Sequence, residues 1–132
     1  PQRPVRAGHP ALASPGADPA DWPLILPPPR AIIRPVVEQY FLARGRELPR
    51  PQVETISLAV GRGLILASDA VWFISRGVLA EEIASGAIVA LDLGGLPLAG
   101  PVGLTLRSGQ TVPDALEVLM QTIRDAAQVE RG

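Results

Sequence analysis

The stretch PLILPPPRAIIRPVVEQYF, residues 23–41, joins a short apolar run to a helix start through three consecutive prolines. A continuous apolar run of this length is typical of a buried strand in a parallel sheet that is covered on both faces. The prolines end the strand, because proline has no N–H to donate to a neighbouring strand. From Pro35 the apolar residues recur at helical spacing, and Gly45 provides a C-terminal stop. The stretch predicts a strand, a stiff loop and a helix, which together form the repeating unit of an α/β protein.

The same alternation of strands and helices continues on both sides of this stretch. Strands are predicted at RPVRAG (3–8), QVETI (52–56), AVWFIS (70–75), AIVALDL (87–93) and PVGLTLR (101–107), and helices at SLAVGRGLILAS (57–68), VLAEEIASG (78–86) and VPDALEVLMQTIRDAA (112–127). Gly61 and Gly63 weaken the first of these helices, so we expect both to pack closely against a neighbour. Strands that alternate with helices imply parallel pairing and right-handed crossovers. The turn-rich GGLPLAG, residues 94–100, is the expected boundary between two parts of the chain.

The composition excludes several classes of protein. The 132 residues carry a net charge of −1, which leaves no basic field able to hold nucleic acid. There is no cysteine, so disulfides, thiol catalysis and cysteine zinc sites are excluded. No apolar run reaches the length of a membrane span and no signal-peptide layout is present, so we expect a soluble chain. The chain begins without methionine, and we expect it to be a piece of a longer protein.

The titratable residues offer little for catalysis or metal binding. His9 is the only histidine and lies in a Gly-His-Pro turn, with no nucleophile or carboxylate placed near it by a local motif. We therefore expect His9 to have a structural or solvent-exposed role. No Asp-x-Asp spacing suggests a carboxylate metal site, and GRGLILAS lacks the lysine of a phosphate-binding loop. The sequence predicts no cofactor, no metal and no enzyme.

The helix start at Pro35 is the most informative place for ligand binding. Proline disfavours the α conformation in the residue before it, so Arg34 is predicted at the N-cap, where arginine cannot accept hydrogen bonds from the helix. Free N–H groups, the positive end of the helix dipole and the guanidinium groups of Arg30 and Arg34 would then form an anion site. Glu38 on the first turn is the internal competitor, and solvent is the alternative ligand.

A second helix start, at residues 54–60, places two hydroxyl groups close together. One of Thr55 and Ser57 is expected to cap the helix and the other to be free, although capping alone explains at least one of them. Both helix starts follow strands of the predicted parallel sheet. They should therefore open at its carboxyl edge, where open α/β sheets usually bind ligands.

Three motifs resemble the effector-binding domain of LysR-type transcriptional regulators. They are HPALA (9–13) followed by PLIL (23–26), the glycine-containing helix before AVWFIS, and IASGAIVAL (83–91) before a final strand and helix. Within that family, PLILPPP and SDAVWFISRGV look most like the regulators of protocatechuate catabolism. One departure is Ser68-Asp69, where many members of the family carry a Gly-x-Gly turn, so backbone contacts at that turn are not carried over.

This resemblance implies an α/β fold in which one periplasmic-binding-protein-like lobe, with a mostly parallel sheet and helices on both faces, is joined to part of a second lobe. Residues 1–21 would be a partial first-lobe strand and crossover, residues 22–93 the second lobe, and residues 94–132 the return to the first lobe. An N-terminal winged helix-turn-helix would lie outside this chain, so DNA would be bound only there. The protein would be a cytoplasmic homo-oligomer, a dimer or tetramer, with no membrane contact.

The resemblance also implies where an inducer would bind. The loop before the first helix and the start of the second helix would contact it, together with the returning strand. The predicted ligand-binding residues are Pro29, Arg30, Ile32, Ile33, Arg34, Thr55, Ser57, Val102 and Gly103. The implied inducer is a small anionic carboxylate of aromatic catabolism such as a carboxymuconate, which would suit the arginines. Its binding would close the lobes and change how distant DNA-binding domains sit.

Two other functions are considered. A solute-binding protein of a transporter has the same two-lobe plan, but it would require an export signal or lipid anchor upstream. An enzyme of the α/β class is weaker, because a single histidine and no cysteine leave only carboxylates for acid–base work.

Overall fold

The computed structural model describes residues 3–92, 103–109 and 111–129. By its contacts the chain divides into two compact units, Pro1–Ala99 and Gly100–Gly132. The strands of the described residues are β1 (Pro4–Arg6), β2 (Leu24–Leu26), β3 (Val53–Glu54), β4 (Val71–Trp72) and β5 (Ile88–Ala90). The α-helices are α1 (Arg34–Leu42), α2 (Leu58–Ala67), α3 (Ala80–Ala84) and α4 (Asp114–Val129), and short 3-10 helices cover Pro10–Ala13, Pro19–Asp21 and Arg76–Leu79.

A three-stranded parallel sheet forms the centre of the first unit. β2 lies between β3 and β4, with Ile25 opposite Val53 and Leu24 opposite Val71. All three residues of β2 are buried, as predicted for a short apolar run covered on both faces. The predicted order of strand, proline loop and helix in residues 23–41 is therefore confirmed.

Helices cover both faces of this sheet, because successive residues of β2 point to opposite sides. Leu24 and Leu26 belong to one buried cluster, which contains Val37, Tyr40 and Phe41 of α1. The other cluster lies on the opposite face of the sheet. It contains Ile25 of β2 with Ile65, Ala70, Trp72, Leu79 and Ile88. The predicted α/β class, with a mainly parallel sheet and helices on both faces, is confirmed.

The pairing of β1 with β5 differs from the expectation that all strands run parallel. These two strands form a separate antiparallel pair, with Val5 opposite Val89. β1 lies at the start of the first unit and β5 at the end of its described part. The two strands are neighbours and run in opposite directions. The prediction of an edge strand at residues 3–8 is confirmed, since each strand of a two-stranded sheet is an edge.

The two glycines of α2 have different roles. A Cβ on Gly61 would overlap the ring of Trp72, which is fully buried in β4. The predicted close packing is thus confirmed at this position. At Gly63 a Cβ would meet nothing within 4 Å, so the same prediction is wrong there. Gly63 lies on the exposed side of the helix, where side-chain space is not limiting.

The second unit contains the predicted final helix but not the predicted strand before it. Residues 103–107 are exposed and have no regular secondary structure. The expected strand is wrong over these residues, because a strand needs a neighbour for its N–H and C=O groups and the described residues provide none there. The helix α4 is confirmed, and the Pro113 carbonyl accepts hydrogen bonds from Leu116 and Glu117 at 2.8 and 3.1 Å.

Over the described ranges, no helix is long and apolar enough to cross a membrane. Within the same ranges, no group of three or more histidine, aspartate or glutamate side chains could hold a metal ion.

Candidate ligand-binding edge of the sheet

The loops after β2 and β3 leave the parallel sheet at the same edge, because these strands are neighbours and run in the same direction. The first loop leads into α1 and the second into α2. The described residues predicted to bind the ligand, except Gly103, therefore lie in two adjacent loops or at the helix starts that follow them, at the carboxyl edge. This is the edge at which open α/β sheets bind ligands.

The proline loop continues directly into α1 through two consecutive turns. The Ala31 N–H donates to the Pro28 carbonyl, and the Arg34 N–H donates to the Ala31 carbonyl, both at 2.9 Å. Ile33 is the N-cap and already has φ −82° and ψ −11°, so Arg34 is the first residue of the helix. The prediction of Arg34 at the N-cap is wrong, because these turns outweigh the restriction imposed by Pro35. No side chain caps this end of α1, as expected.

The Arg34 guanidinium is buried and already paired. Its Nη1 donates to the Pro27 carbonyl and to Glu54 Oε1, both at 2.7 Å, and its Nε donates to Glu38 Oε1 at 3.0 Å. The residue is only 8% exposed. The expectation of an uncommitted cation at this position is therefore wrong. Arg34 joins the proline loop, the end of β3 and the first turn of α1, and its charge is compensated by two carboxylates.

Arg30 has the opposite environment. It lies at the exposed tip of the proline loop next to Pro29, which is also exposed. Within the part of the chain that the structure describes, Arg30 makes no hydrogen bond or ion pair. Its guanidinium is therefore available to an anion from solution, which the guanidinium of Arg34 is not.

Exposed apolar side chains accompany Arg30 in both loops. Ile32 is 94% exposed in the first loop and Ile56 is 70% exposed in the second. Two large apolar side chains are therefore exposed to solvent in adjacent loops at this edge. The edge thus combines one available cation with apolar contact area.

Both hydroxyl groups at the start of α2 take part in local hydrogen bonds. The Ser57 Oγ accepts from the Val60 N–H at 3.4 Å and caps the helix. The Thr55 Oγ1 accepts from the Ser57 N–H at 2.9 Å, so the expectation that one hydroxyl is free is wrong. Each hydroxyl that accepts a hydrogen bond still has its own hydrogen to donate. The two groups are held in place and keep the capacity to donate to an acceptor.

The remaining predicted residues are distributed as follows. Ile33 is half-buried at the N-cap of α1. Gly103 belongs to the second unit and lies in its exposed, irregular segment. Val102 lies outside the described residues.

A group of contacts that the sequence did not reveal centres on Asp69. The Arg6 Nε and Nη2 both donate to Asp69 Oδ1, at 3.1 and 2.7 Å, and the Asp69 carbonyl contacts His9 Nε2 at 3.1 Å. His9 is 1% exposed and its Nδ1 accepts from the Ala11 N–H. Nδ1 therefore carries no hydrogen, and Nε2 must carry one and donate. Of the two roles expected for His9, structural or solvent-exposed, the structure shows the first. The Asp69 carboxylate accepts from Arg6 and its carbonyl accepts from His9, so Asp69 is also structural.

Comparison with known proteins places the chain in a family. A family model described as the LysR substrate binding domain matches residues 5–128. The chain belongs to this family. Over 127 residues it is 42% identical to the HTH-type transcriptional regulator PcaQ of Agrobacterium fabrum, a match that covers 93% of this chain and 40% of that protein. It is 38% identical over 124 residues to the HTH-type transcriptional regulator GalR of Pseudomonas putida, covering 91% of this chain and 31% of GalR.

Membership of this family indicates the general role of the domain. The chain is similar to the effector-binding part of LysR-type transcriptional regulators, and the resemblance to the pca regulators is confirmed. Its relatives are regulators and not enzymes. The chain spans about two fifths or less of the length of these relatives.

Proposed function

We propose that this domain senses a small carboxylate from aromatic ring cleavage, such as a carboxymuconate, and that Arg30 binds a carboxylate group of this inducer. The observation that carries the proposal is the exposed guanidinium of Arg30, which has no described partner. It lies in the same loop as the exposed Ile32, and the neighbouring loop at the carboxyl edge of the parallel sheet carries the exposed Ile56. Arginine is suited to this task because its planar fork can donate two parallel hydrogen bonds to a carboxylate. The two isoleucines offer apolar area for the carbon skeleton.

Arg34 is proposed to position the loop that carries Arg30. Its hydrogen bond to the Pro27 carbonyl holds the loop at its base, and its ion pairs hold α1 and β3 beside the loop. With Glu38 and Glu54 included, the charges around Arg34 sum to −1. A ligand carboxylate is therefore better placed at Arg30 than at Arg34. Any further carboxylates of the ligand would be met by residues outside the described edge.

The domain is proposed to act within a longer regulator. Residues 1–21 would begin in a first lobe, residues 22–93 would form the second lobe, and residues 94–132 would return to the first. Inducer binding between the lobes would favour one arrangement of a homo-oligomer, a dimer or tetramer, whose DNA-binding domains lie outside this chain. Such a change requires the inducer to bind one arrangement more tightly than the other. The proposed role is that of an activator without catalysis, a cofactor or a membrane contact.

Isothermal titration calorimetry of the full-length regulator tests the proposal. Carboxymuconate, protocatechuate and an uncharged sugar are titrated into the wild type, Arg30→Gln and Arg50→Gln. Arg50 is the matched control, because it is exposed and precedes β3 at the opposite edge of the sheet. Loss of a charge-assisted bond worth about 1.5–3 kcal/mol should weaken carboxymuconate binding by roughly tenfold or more in Arg30→Gln.

Two results would contradict the proposal. Equal binding of the sugar and the carboxylates would exclude a carboxylate sensor. Equal loss of affinity in Arg30→Gln and Arg50→Gln would exclude a specific contact at Arg30, because a general effect of charge would then explain both.

A further inference from the structure

The two carboxylates that pair with Arg34 are much more exposed than the guanidinium they hold. Glu38 and Glu54 each accept through Oε1, at 3.0 and 2.7 Å from nitrogen atoms of Arg34. The side chain of Arg34 is 9% exposed, whereas those of Glu38 and Glu54 are 51% and 37% exposed. The positive charge of this group is therefore enclosed, and its negative charges reach the surface. An ion that approaches from solution meets the carboxylates first.

This group lies at the base of the loop that carries Arg30. Glu54 is the last residue of β3, and the Pro27 carbonyl accepts from Arg34 Nη1 at 2.7 Å. Arg30 follows Pro27 by three residues, so their Cα atoms are at most about 11 Å apart. At an ionic strength of about 0.01 M, charges act on one another over about 30 Å. A ligand held by Arg30 therefore lies within the field of both glutamates.

The charges of this part of the edge balance before any ligand binds. In the loops after β2 and β3 and in the first turns of α1 and α2, the charged residues are Arg30, Arg34, Glu38 and Glu54. Two positive and two negative charges leave these segments neutral. One carboxylate bound by Arg30 uses the cation that has no described partner. A second carboxylate close to the first would find no free cation in these segments and would be repelled by the glutamates.

We infer that Glu38 and Glu54 determine which carboxylates this edge binds. It binds a ligand whose second carboxylate is far from the first, and it binds poorly a ligand with carboxylates on adjacent carbons. This inference rests on the proposed contact between Arg30 and the inducer. Groups that repel one ligand and leave another unaffected are a source of specificity, because specificity is a difference between two affinities.

The inference also orients the inducer. In a carboxymuconate with two carboxylates on adjacent carbons, a third carboxylate lies at the other end of the carbon chain. Arg30 would bind this isolated carboxylate, and the adjacent pair would point away from Glu38 and Glu54. The exposed Ile32 would then lie beside the start of the carbon chain.

Three benzene carboxylates separate the effect of spacing from that of total charge. Benzoate has one carboxylate, phthalate has two on adjacent carbons, and terephthalate has two on opposite carbons of the ring. Their affinities for the full-length regulator are measured by isothermal titration calorimetry at low ionic strength. The wild type should bind terephthalate at least about threefold more tightly than phthalate, because only phthalate places both charges near the glutamates.

The variants Glu38→Gln and Glu54→Gln each remove one negative charge and keep an oxygen that can accept from Arg34. In each variant the ratio of the terephthalate affinity to the phthalate affinity should fall, roughly threefold or more. Glu38→Asp keeps the charge and should keep the ratio. Glu47→Gln is the second control, because Glu47 is exposed in the connection that enters β3 at the opposite edge of the sheet. A ratio measured within one variant is not altered by a general loss of stability.

Arg30→Gln distinguishes failure of this inference from failure of the proposed function. If Arg30→Gln weakens all three acids but the ratio is the same in the wild type, Glu38→Gln and Glu54→Gln, the contact at Arg30 stands and the inference is overturned. If Arg30→Gln changes no affinity, the proposed contact fails and the inference fails with it. Equal wild-type binding of phthalate and terephthalate would overturn the inference, as would no binding of benzoate and terephthalate at millimolar concentrations. An equal fall of the ratio in Glu47→Gln would do the same.

Discussion

Replacement of Arg34 by methionine tests whether this residue supports the site instead of contacting the ligand. Methionine keeps much of the apolar stem but removes the hydrogen bond to the Pro27 carbonyl and the ion pairs to Glu54 and Glu38. The pair with Glu38 is an i,i+4 pair whose carboxylate is about half exposed, and it is worth about 0.3–0.5 kcal/mol. The pair with Glu54, which is about one third exposed, is worth roughly 1 kcal/mol. Leaving the Pro27 carbonyl without its donor costs about 1–3 kcal/mol.

These contributions sum to roughly 2–4 kcal/mol of lost stability, from which the relief of a buried cation subtracts part. Unfolding in urea is followed by the fluorescence of Trp22 and Trp72, both of which lie in the first unit. With a urea dependence of about 1–2 kcal/mol per molar, the midpoint of Arg34→Met should fall by roughly 1–2 M.

The matched control is Arg30→Met, which removes an exposed arginine without a described partner from the loop that precedes α1. Its free energy of unfolding should stay within about 0.5 kcal/mol of that of the wild type. The reasoning is refuted if the two variants lose the same stability, or if Arg34→Met unfolds at the wild-type midpoint. Arg34→Gln, which can still donate to the Pro27 carbonyl, should recover part of the loss.

Two further outcomes follow from the packing of the first unit. Gly61→Ala should lower the free energy of unfolding in urea by about 1–3 kcal/mol, because the added methyl group overlaps Trp72. Gly63→Ala should raise it by up to about 1 kcal/mol, because alanine is the better helix former and nothing lies near this position. Equal effects of the two substitutions would contradict the assignment of close packing to Gly61 alone. The pKa of Tyr40 is raised in the folded state, so its contribution to stability is complete below the ordinary tyrosine pKa and is lost as the pH rises through the folded value. Tyr40→Phe should therefore flatten the alkaline part of the profile of stability against pH, and an unchanged alkaline slope would show that other groups cause it.

The sequence by itself determined the local elements and the family. The apolar run, prolines and helical spacing of residues 23–41 predicted β2 and α1. The hydroxyls of Thr55 and Ser57 marked the start of α2, and the structure shows that Ser57 is the N-cap. These signals act within about one helical turn, so they are visible in a single sequence. The motifs at residues 9–13, 57–68 and 83–91 were sufficient for the family resemblance, which the match over residues 5–128 confirms.

Only the tertiary structure decided which charged groups are available at the site. Arg30 and Arg34 look alike in sequence, but Glu54, twenty residues beyond Arg34, pairs with the buried guanidinium of Arg34 and leaves Arg30 without a described partner. The antiparallel pairing of β1 with β5 and the different surroundings of Gly61 and Gly63 were likewise decided by distant parts of the chain. Ion pairs, strand partners and close packing join residues far apart in sequence, and no local spacing encodes them. The sequence therefore indicated the edge at which we propose that an anion binds, and the fold decided which of its two arginines has no described partner.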